Sequence, residues 1–152
     1  PQLMPAPIYY AHLLSRKLAD YRRQDDRIRP DGKTQVTVEY EDGKVKRIEA
    51  VVVSAQHTAE ISQKQLHEVI MENVIKPVLP EDLLDENTRY YINPSGSFIV
   101  GGSWGDSGTT GRKIIVDTYG GMGRVGEAVF LLRIPVRLTA APHTIAVMSP
   151  RT

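Results

Sequence analysis

The stretch that most constrains the fold is QVTVEYEDGKVKRIEAVVVSAQH, residues 35–57. Val36, Val38 and Tyr40 alternate with polar neighbours, the period of a strand with one buried face. Asp42-Gly43 follows, a dipeptide whose readiness to take positive φ suits a two-residue hairpin turn. The return strand, about 44–54, is richer in β-branched residues and is expected to be central in a sheet. A chain containing this unit must build a sheet and find something apolar to cover it.

Two helices are expected to supply that cover. Over residues 5–22, Ile8, Ala11, Leu14, Leu18 and Tyr21 recur at three- and four-residue spacing, and Pro5 and Pro7 are tolerable in a first turn. Farther on, Ser62-Gln63-Lys64-Gln65 has the capping-box pattern, and Leu66, Val69, Ile70 and Val74 form an apolar stripe that Pro77 and Pro80 end. Residues 81–89 read as a polar loop. Short strands are expected at Tyr90–Ile92 and Phe98–Val100, around an Asn93-Pro94-Ser95-Gly96 turn, and another at Lys113–Thr118. No internal repeat is visible.

Composition narrows the function classes. With 152 residues, 41% apolar and 24% charged, the chain has the balance of a soluble globular protein with room for about one domain. Its net charge of +1 gives no basic field that would call for nucleic acid or an anionic membrane. The absence of cysteine rules out disulfides and thiolate metal sites. No apolar run approaches the roughly 20 residues that span a bilayer. The N-terminus lacks a basic start and apolar core like those of a signal peptide, and the initial Pro suggests a piece of something longer.

Chemistry concentrates in GGSWGDSGTTGRKIIVDTYGG, residues 101–121, which carries seven of the twelve glycines and the single tryptophan. Amides without a Cβ beside them can close on phosphate oxygens, and Arg112 and Lys113 would add countercharge. The alternative is a set of turns with both cations solvated. The segment fails the Walker A pattern, because five residues separate Gly105 from Gly111 and Arg follows where Lys-Ser/Thr should. Gly121-Met122-Gly123-Arg124-Val125-Gly126 matches a dinucleotide fingerprint, but no acidic residue follows about 20 residues on and only 26 residues remain.

Other candidates stand beside plainer readings. Asp31 and Lys33, two apart in RPDGK, can face one way on a strand, or form a surface ion pair worth about 0–1 kcal/mol. Phe98 can stack on a base or pack in the core. His12, His57, His67 and His143 show no metal-ligand spacing, and His12 and His67 read as polar-face residues of helices. No GxSxG elbow is present. The last thirty residues have no clean period, no acidic residue after Glu127, and Arg124, Arg133, Arg137 and Arg151 but no lysine. No element is assigned to them.

Six collinear motifs carry a resemblance: LMPAPIYYAHLLSRKLADYR, RPDGKTQVTVEYEDG, VVVSAQH, VIKPVLP, YINPSGSFIVGG and GDSGTTGRKIIVDTYGG, spanning residues 2 to about 123. Together they resemble methionine adenosyltransferase, or S-adenosylmethionine synthetase. The resemblance implies an α+β fold with repeated sheet-and-helix domains. It divides the chain into a central domain over 1–100, the start of a C-terminal domain over 101–123, and an atypical tail over 124–152. It implies ATP and L-methionine as substrates, Mg²⁺ and K⁺ as cofactors, a cytoplasmic homo-oligomer (a dimer or dimer of dimers), and neither nucleic acid nor membrane as partner. Methionine sulfur attacks C5′ of ATP and displaces tripolyphosphate, which is then hydrolysed to phosphate and pyrophosphate.

Residue by residue, the resemblance assigns Asp31 to the adenosine side, Lys33 to the phosphate chain and Phe98 to the adenine ring. Asp106 would receive the methionine ammonium, and Arg112 and Lys113 the tripolyphosphate. Lys33, Arg112 and Lys113 are thereby the catalytic candidates, Asp31, Lys33, Phe98, Arg112 and Lys113 the ATP-binding set, and no metal ligand falls in this stretch. Departures bear on site shape: Ser97 stands for a usual arginine, Ser103 and Trp104 for Pro-Gln, and Thr109 for leucine. The family's early His and Asp near Mg²⁺, its GAGDQG segment and its later Gly-Gly-Ala-Phe-Ser-Gly-Lys-Asp stretch have no counterpart here. For at least one codon choice, the tail from Val125 read in another frame gives Gly-Gly-Gly-Phe-Ser, so a frameshift is the expected origin of 124–152. The expectation is a fragment that binds nucleotide or polyphosphate weakly at best and makes no S-adenosylmethionine alone. The alternative is a non-catalytic partner or remnant subunit that pairs with an intact enzyme.

Overall fold

A computed structural model describes residues 3–108, 111–123 and 143–148, the last as backbone. Helix α1 (Ala6–Tyr21) precedes strands β1 (Ile28–Glu41) and β2 (Lys44–His57). Then come α2 (Gln63–Ile70), a π turn (Met71–Ile75), a 3₁₀ turn (Glu81–Leu83), β3 (Arg89–Ile92), a 3₁₀ turn (Gly102–Trp104), α3 (Ile114–Asp117) and β4 (His143–Met148). The sheet order is β3-β2-β1-β4, with β1 and β2 antiparallel and both outer pairings parallel.

The hairpin forms where the sequence places it. Asp42 and Gly43 both take positive φ, 50° and 75°, which gives the turn the twist of its strands. Register then keeps one face apolar. Thr34, Val36 and Val38 of β1 face Val53, Val51 and Ile48 of β2, and all six are buried. Val51 and Ile48 lie three apart, a spacing a regular strand would send to opposite faces. A bulge reconciles them: Thr37 pairs with Ala50 and Val38 with Ile48, leaving Glu49 as the extra residue.

Helix α1 lays Ile8, Ala11, Leu14, Ser15 and Leu18 inward. The Thr34 hydroxyl, also buried, donates to the Ala11 carbonyl at 2.7 Å, so the polar atom on the sheet's inner face is satisfied by the helix that covers it. The α2 cap is the expected box: Gln65 N–H donates to Ser62 Oγ at 3.3 Å, and Ser62 N–H to Gln65 Oε1 at 3.1 Å. Beyond Ile70 the π turn widens the helix by one residue, and the adjacent Val74 and Ile75 are both buried. Leu66, Ile70, Val74, Ile75 and Leu79 join α1 and the hairpin in one core.

Three expectations change. Phe98–Val100 is not a strand; its single main-chain bond to β2 runs from His57 N–H to the Phe98 carbonyl at 2.9 Å. The facing position is taken by a ring nitrogen rather than a carbonyl, so no ladder propagates. Lys113–Thr118 is not a strand either. Asp117 N–H donates to the Lys113 carbonyl, and the Thr118 hydroxyl to the Ile114 carbonyl, both at 2.9 Å. Gly120 at φ 66° then returns its N–H to the Ile115 carbonyl. Local bonds consume the groups that a strand would offer a neighbour. Finally, the tail, to which the sequence assigns no element, contributes β4, paired with Lys33–Val38 of β1; the rest of the 124–152 tail, residues 124–142 and 149–152, lies outside the described residues.

Two predictions follow from this packing. Leu14→Ala removes a side chain with no exposure, and is expected to cost about 2–5 kcal/mol in denaturant unfolding. Asp25 accepts from Arg27 Nε at 2.9 Å and Nη2 at 2.8 Å, and from the Tyr21 hydroxyl at 3.1 Å. The Arg27 hydrogen bonds are the largest influence on its carboxyl, which they hold down from 3.8 to about 2. Because the folded pKa lies below the unfolded one, this stabilisation is complete above about pH 4 and is lost as pH falls through about 2. Thermal midpoints should therefore fall less steeply between pH 4 and pH 2 in Asp25→Asn than in the unsubstituted chain.

Candidate functional site

A cavity of about 310 Å³ opens where the end of β2 meets the start of β1. Asp31, Gly32 and Lys33 line it from β1, and Ser54 from β2. Asn93, Ser95, Gly96, Ser97 and Phe98 close it from the segment after β3. It thus combines one aromatic ring, one carboxylate, one ammonium and several small hydroxyls.

Each wall has a local cause. β1 is irregular at its start: Ile28 pairs with His57 and Gly32 with Ala55, so Arg29, Pro30 and Asp31 stand against Gln56 alone. That bulge frees Asp31 from the ladder. Its N–H donates to Gln56 Oε1 at 3.3 Å, and its Oδ2 accepts from Gly102 N–H at 2.8 Å. Lys33 returns to the regular ladder opposite Ser54 with an exposed side chain. The Asp31–Lys33 ion pair is not formed; the carboxylate is engaged by a main-chain amide instead.

The opposite wall is pinned at both ends. Asn93, with φ 45° and 5% exposure, ends β3 and turns its amide onto β2. Ala55 N–H donates to Asn93 Oδ1 at 2.8 Å, and Asn93 Nδ2 donates to the Ala55 carbonyl at 2.9 Å. Gly96 N–H closes the expected turn onto the Asn93 carbonyl. At the far end, Gln56 Nε2 donates to the Ile99 carbonyl at 2.9 Å. Gly101 packs so closely that a Cβ would lie 2.9 Å from Asp31 Oδ2, 2.9 Å from Gln56 Cδ and 3.0 Å from Phe98 Cε2. This is one place where the glycine-rich segment needs bare backbone for a steric reason.

Three of the six candidates, Asp31, Lys33 and Phe98, therefore share one cavity. Asp106, Arg112 and Lys113 do not line it. Asp106 and both cations are exposed, with Asp106 N–H bonded to the Gly102 carbonyl at 2.9 Å and Lys113 entering α3. Thr109 lies outside the described residues. Residue-by-residue reading passed over Ser54, Gln56, His57 and Asn93 as site builders. Their signal lay in VVVSAQH and YINPSG, where polar side chains follow apolar strand residues. Among the described residues, no group of three or more His, Asp or Glu side chains is placed to hold a metal ion, and no helix is long and apolar enough to cross a membrane.

Gly101→Ala should displace Phe98 or break the Asp31–Gly102 bond. The expected readout is faster amide exchange at Gly102 together with a stability loss of about 1–3 kcal/mol.

Comparison with known proteins adds a separate line of evidence. The family model described as S-adenosylmethionine synthetase, central domain, matches residues 1–98. The C-terminal domain model of the same family matches residues 100–140. An S-adenosylmethionine synthase of Myxococcus xanthus (strain DK1622) is 60% identical over 139 residues, 91% of this chain and 35% of the relative. The S-adenosylmethionine synthase of Desulfosudis oleivorans is 56% identical over 140 residues, 91% of this chain and 36% of the relative. That of Clostridium acetobutylicum is 55% identical over 139 residues, 90% of this chain and 36% of the relative. The chain spans about a third of the length of these curated relatives.

Proposed function

The chain belongs to the S-adenosylmethionine synthetase family, and from that premise we propose that it carries the nucleoside end of a site making S-adenosylmethionine from ATP and L-methionine. The single observation that carries this reading is the cavity where Phe98, Asp31 and Lys33 meet. An aromatic face suits adenine, a carboxylate suits ribose hydroxyls or the exocyclic amino group, and an ammonium suits the adjoining phosphates. The reaction asks for no base, because the attacking sulfur carries no proton. Catalysis rests on holding sulfur and C5′ in line and on stabilising the departing tripolyphosphate.

In this reading Lys33 meets the phosphate chain at the cavity mouth. Arg112 and Lys113, exposed outside the cavity after the Gly-rich segment, are assigned to the tripolyphosphate beyond it. Asp106 receives the methionine ammonium. Mg²⁺ and K⁺ belong to the proposed activity and would offset phosphate charge. Among the described residues no group of three or more His, Asp or Glu side chains is placed to hold a metal ion, and neither ion is assigned to a named residue. The protein is proposed to work in the cytoplasm as a homo-oligomer, with small-molecule substrates and without nucleic acid or membrane.

Titration calorimetry on the 152-residue chain separates the assignments. Phe98→Ala should weaken both adenosine and ATP about tenfold, the scale of a lost base–aromatic stack. Lys33→Ala, and Arg112→Ala with Lys113→Ala, should weaken ATP and tripolyphosphate about tenfold and leave adenosine unchanged. ATP affinity indifferent to positions 112 and 113 would remove them from the site. The chain alone is expected to release no S-adenosylmethionine from ATP and methionine, and its formation would refute the fragment's inactivity.

A second reading has its own observation. Trp104 is 92% exposed and Val100 61%, and Ile99, Tyr119 and Met122 are exposed nearby in sequence. Apolar side chains left to water in this number suit a subunit that pairs with an intact enzyme without performing chemistry. Co-purification with a full-length relative, together with a change in that enzyme's rate, would favour this reading; a monomer indifferent to it would not.

A further inference from the structure

His57 has no role in the assignments above, yet it is the most buried titratable side chain beside the cavity, with 2% exposure at the last position of β2. Its surroundings fix its protonation pattern by geometry. The Phe98 N–H points at Nε2 from 3.1 Å, and an N–H can only donate. Nε2 must therefore accept and carry no proton. On the other side of the ring, Nδ1 lies 2.8 Å from the Thr58 carbonyl oxygen, which can only accept, so Nδ1 carries the proton. The main chain of His57 completes the arrangement by donating to the Phe98 carbonyl at 2.9 Å. Phe98 is thus gripped at both its N–H and its C=O by one residue, while its ring walls the cavity and its Cε2 edge lies against Gly101.

We propose that His57 is a positioning residue: a neutral imidazole, protonated at Nδ1, whose Nε2 holds the Phe98 amide and thereby sets the ring against which a nucleoside base would lie. The inference rests on the nucleoside reading of the cavity for its ligand, but not for the geometry. A carbonyl in place of Nε2 would extend the sheet into Phe98–Val100. The ring nitrogen instead supplies one acceptor and stops the ladder, which leaves the chain free to turn at Gly102, with φ 64°, and return to Asp31.

Two isosteres divide the ring's functions. In His57→Gln the terminal amide oxygen reaches the place of Nε2, so the acceptor for Phe98 is kept. In His57→Asn the shorter amide reaches only the place of Nδ1, so the Thr58 contact is kept and the acceptor is lost. The nitrogen chemical shifts of the His57 ring in the unsubstituted chain should show a bare Nε2 and a protonated Nδ1. Exchange of the Phe98 amide should be about tenfold faster in His57→Asn than in His57→Gln, with the amides of Val53 and Ala55 alike in both. Adenosine affinity should follow the same order, weakened about tenfold in the Asn variant and nearly kept in the Gln variant.

A proton on Nε2, or equal Phe98 exchange in the two variants, would overturn the proposal. A merely structural role would speed exchange across the whole sheet end in both. Should the Asn variant not fold, the ring shifts and the Phe98 exchange of the Gln variant decide alone. If the unsubstituted chain takes no adenosine while shifts and exchange behave as stated, the nucleoside reading falls and the grip on Phe98 stands.

Discussion

The pairing of β1 with β2 is the constraint on which the rest depends. Five facing pairs, from Ile28–His57 to Val38–Ile48, put buried residues on a single face, and α1 and α2 have somewhere to pack only because that face is continuous. A regular hairpin of this sequence would lose continuity at Glu49, since the residues on either side of it follow opposite phases. The bulge restores it at the cost of one unpaired residue. The same face also carries the polar atom of Thr34, which is harmless because the Ala11 carbonyl meets it. Sheet and helix are therefore matched in hydrogen bonding as well as in apolar area.

The second consequence of that pairing is the site. Irregularity at the open end of the hairpin releases Asp31 from the ladder, and the residues opposite use side chains where a strand would use main chain. Asn93 offers an amide to Ala55, Gln56 bridges Asp31 to Ile99, and His57 offers a ring nitrogen to Phe98. Such contacts give hydrogen bonds without imposing strand geometry. The backbone can then curve, and a curved backbone over a sheet end encloses a cavity where a further paired strand would have filled it.

Helices α1 and α2, the hairpin and the capping box were legible in the sequence because each rests on neighbours within about four residues: the 3.6-residue stripe of α1, the positive φ of Asp42-Gly43, the Ser62–Gln65 exchange. The family was legible too, through motifs such as RPDGK and GRKIIVDTYGG, and both domain models agree with it. The strands expected at Phe98–Val100 and Lys113–Thr118 failed for one reason. β-branched composition states a preference for extended backbone, but a strand exists only where a neighbour offers a matching row of donors and acceptors. At Phe98 that row was broken by an imidazole, and at Ile114 by Thr118 and Gly120 turning the bonds inward.

By itself, then, the sequence determined what the chain could bury and which backbone angles it could take, since apolar spacing, proline and Asp-Gly act locally. It also supplied the chemical types gathered for the site. Tertiary structure alone decided that Asp31 gives its carboxylate to Gly102 rather than to Lys33, and that Gly101 has no room for a methyl group. It decided as well that the His57 ring is held between an amide donor and a carbonyl acceptor. These outcomes depend on groups tens of residues apart meeting at hydrogen-bond distance. That distance is set by the register and bulges of the hairpin, which no local preference encodes.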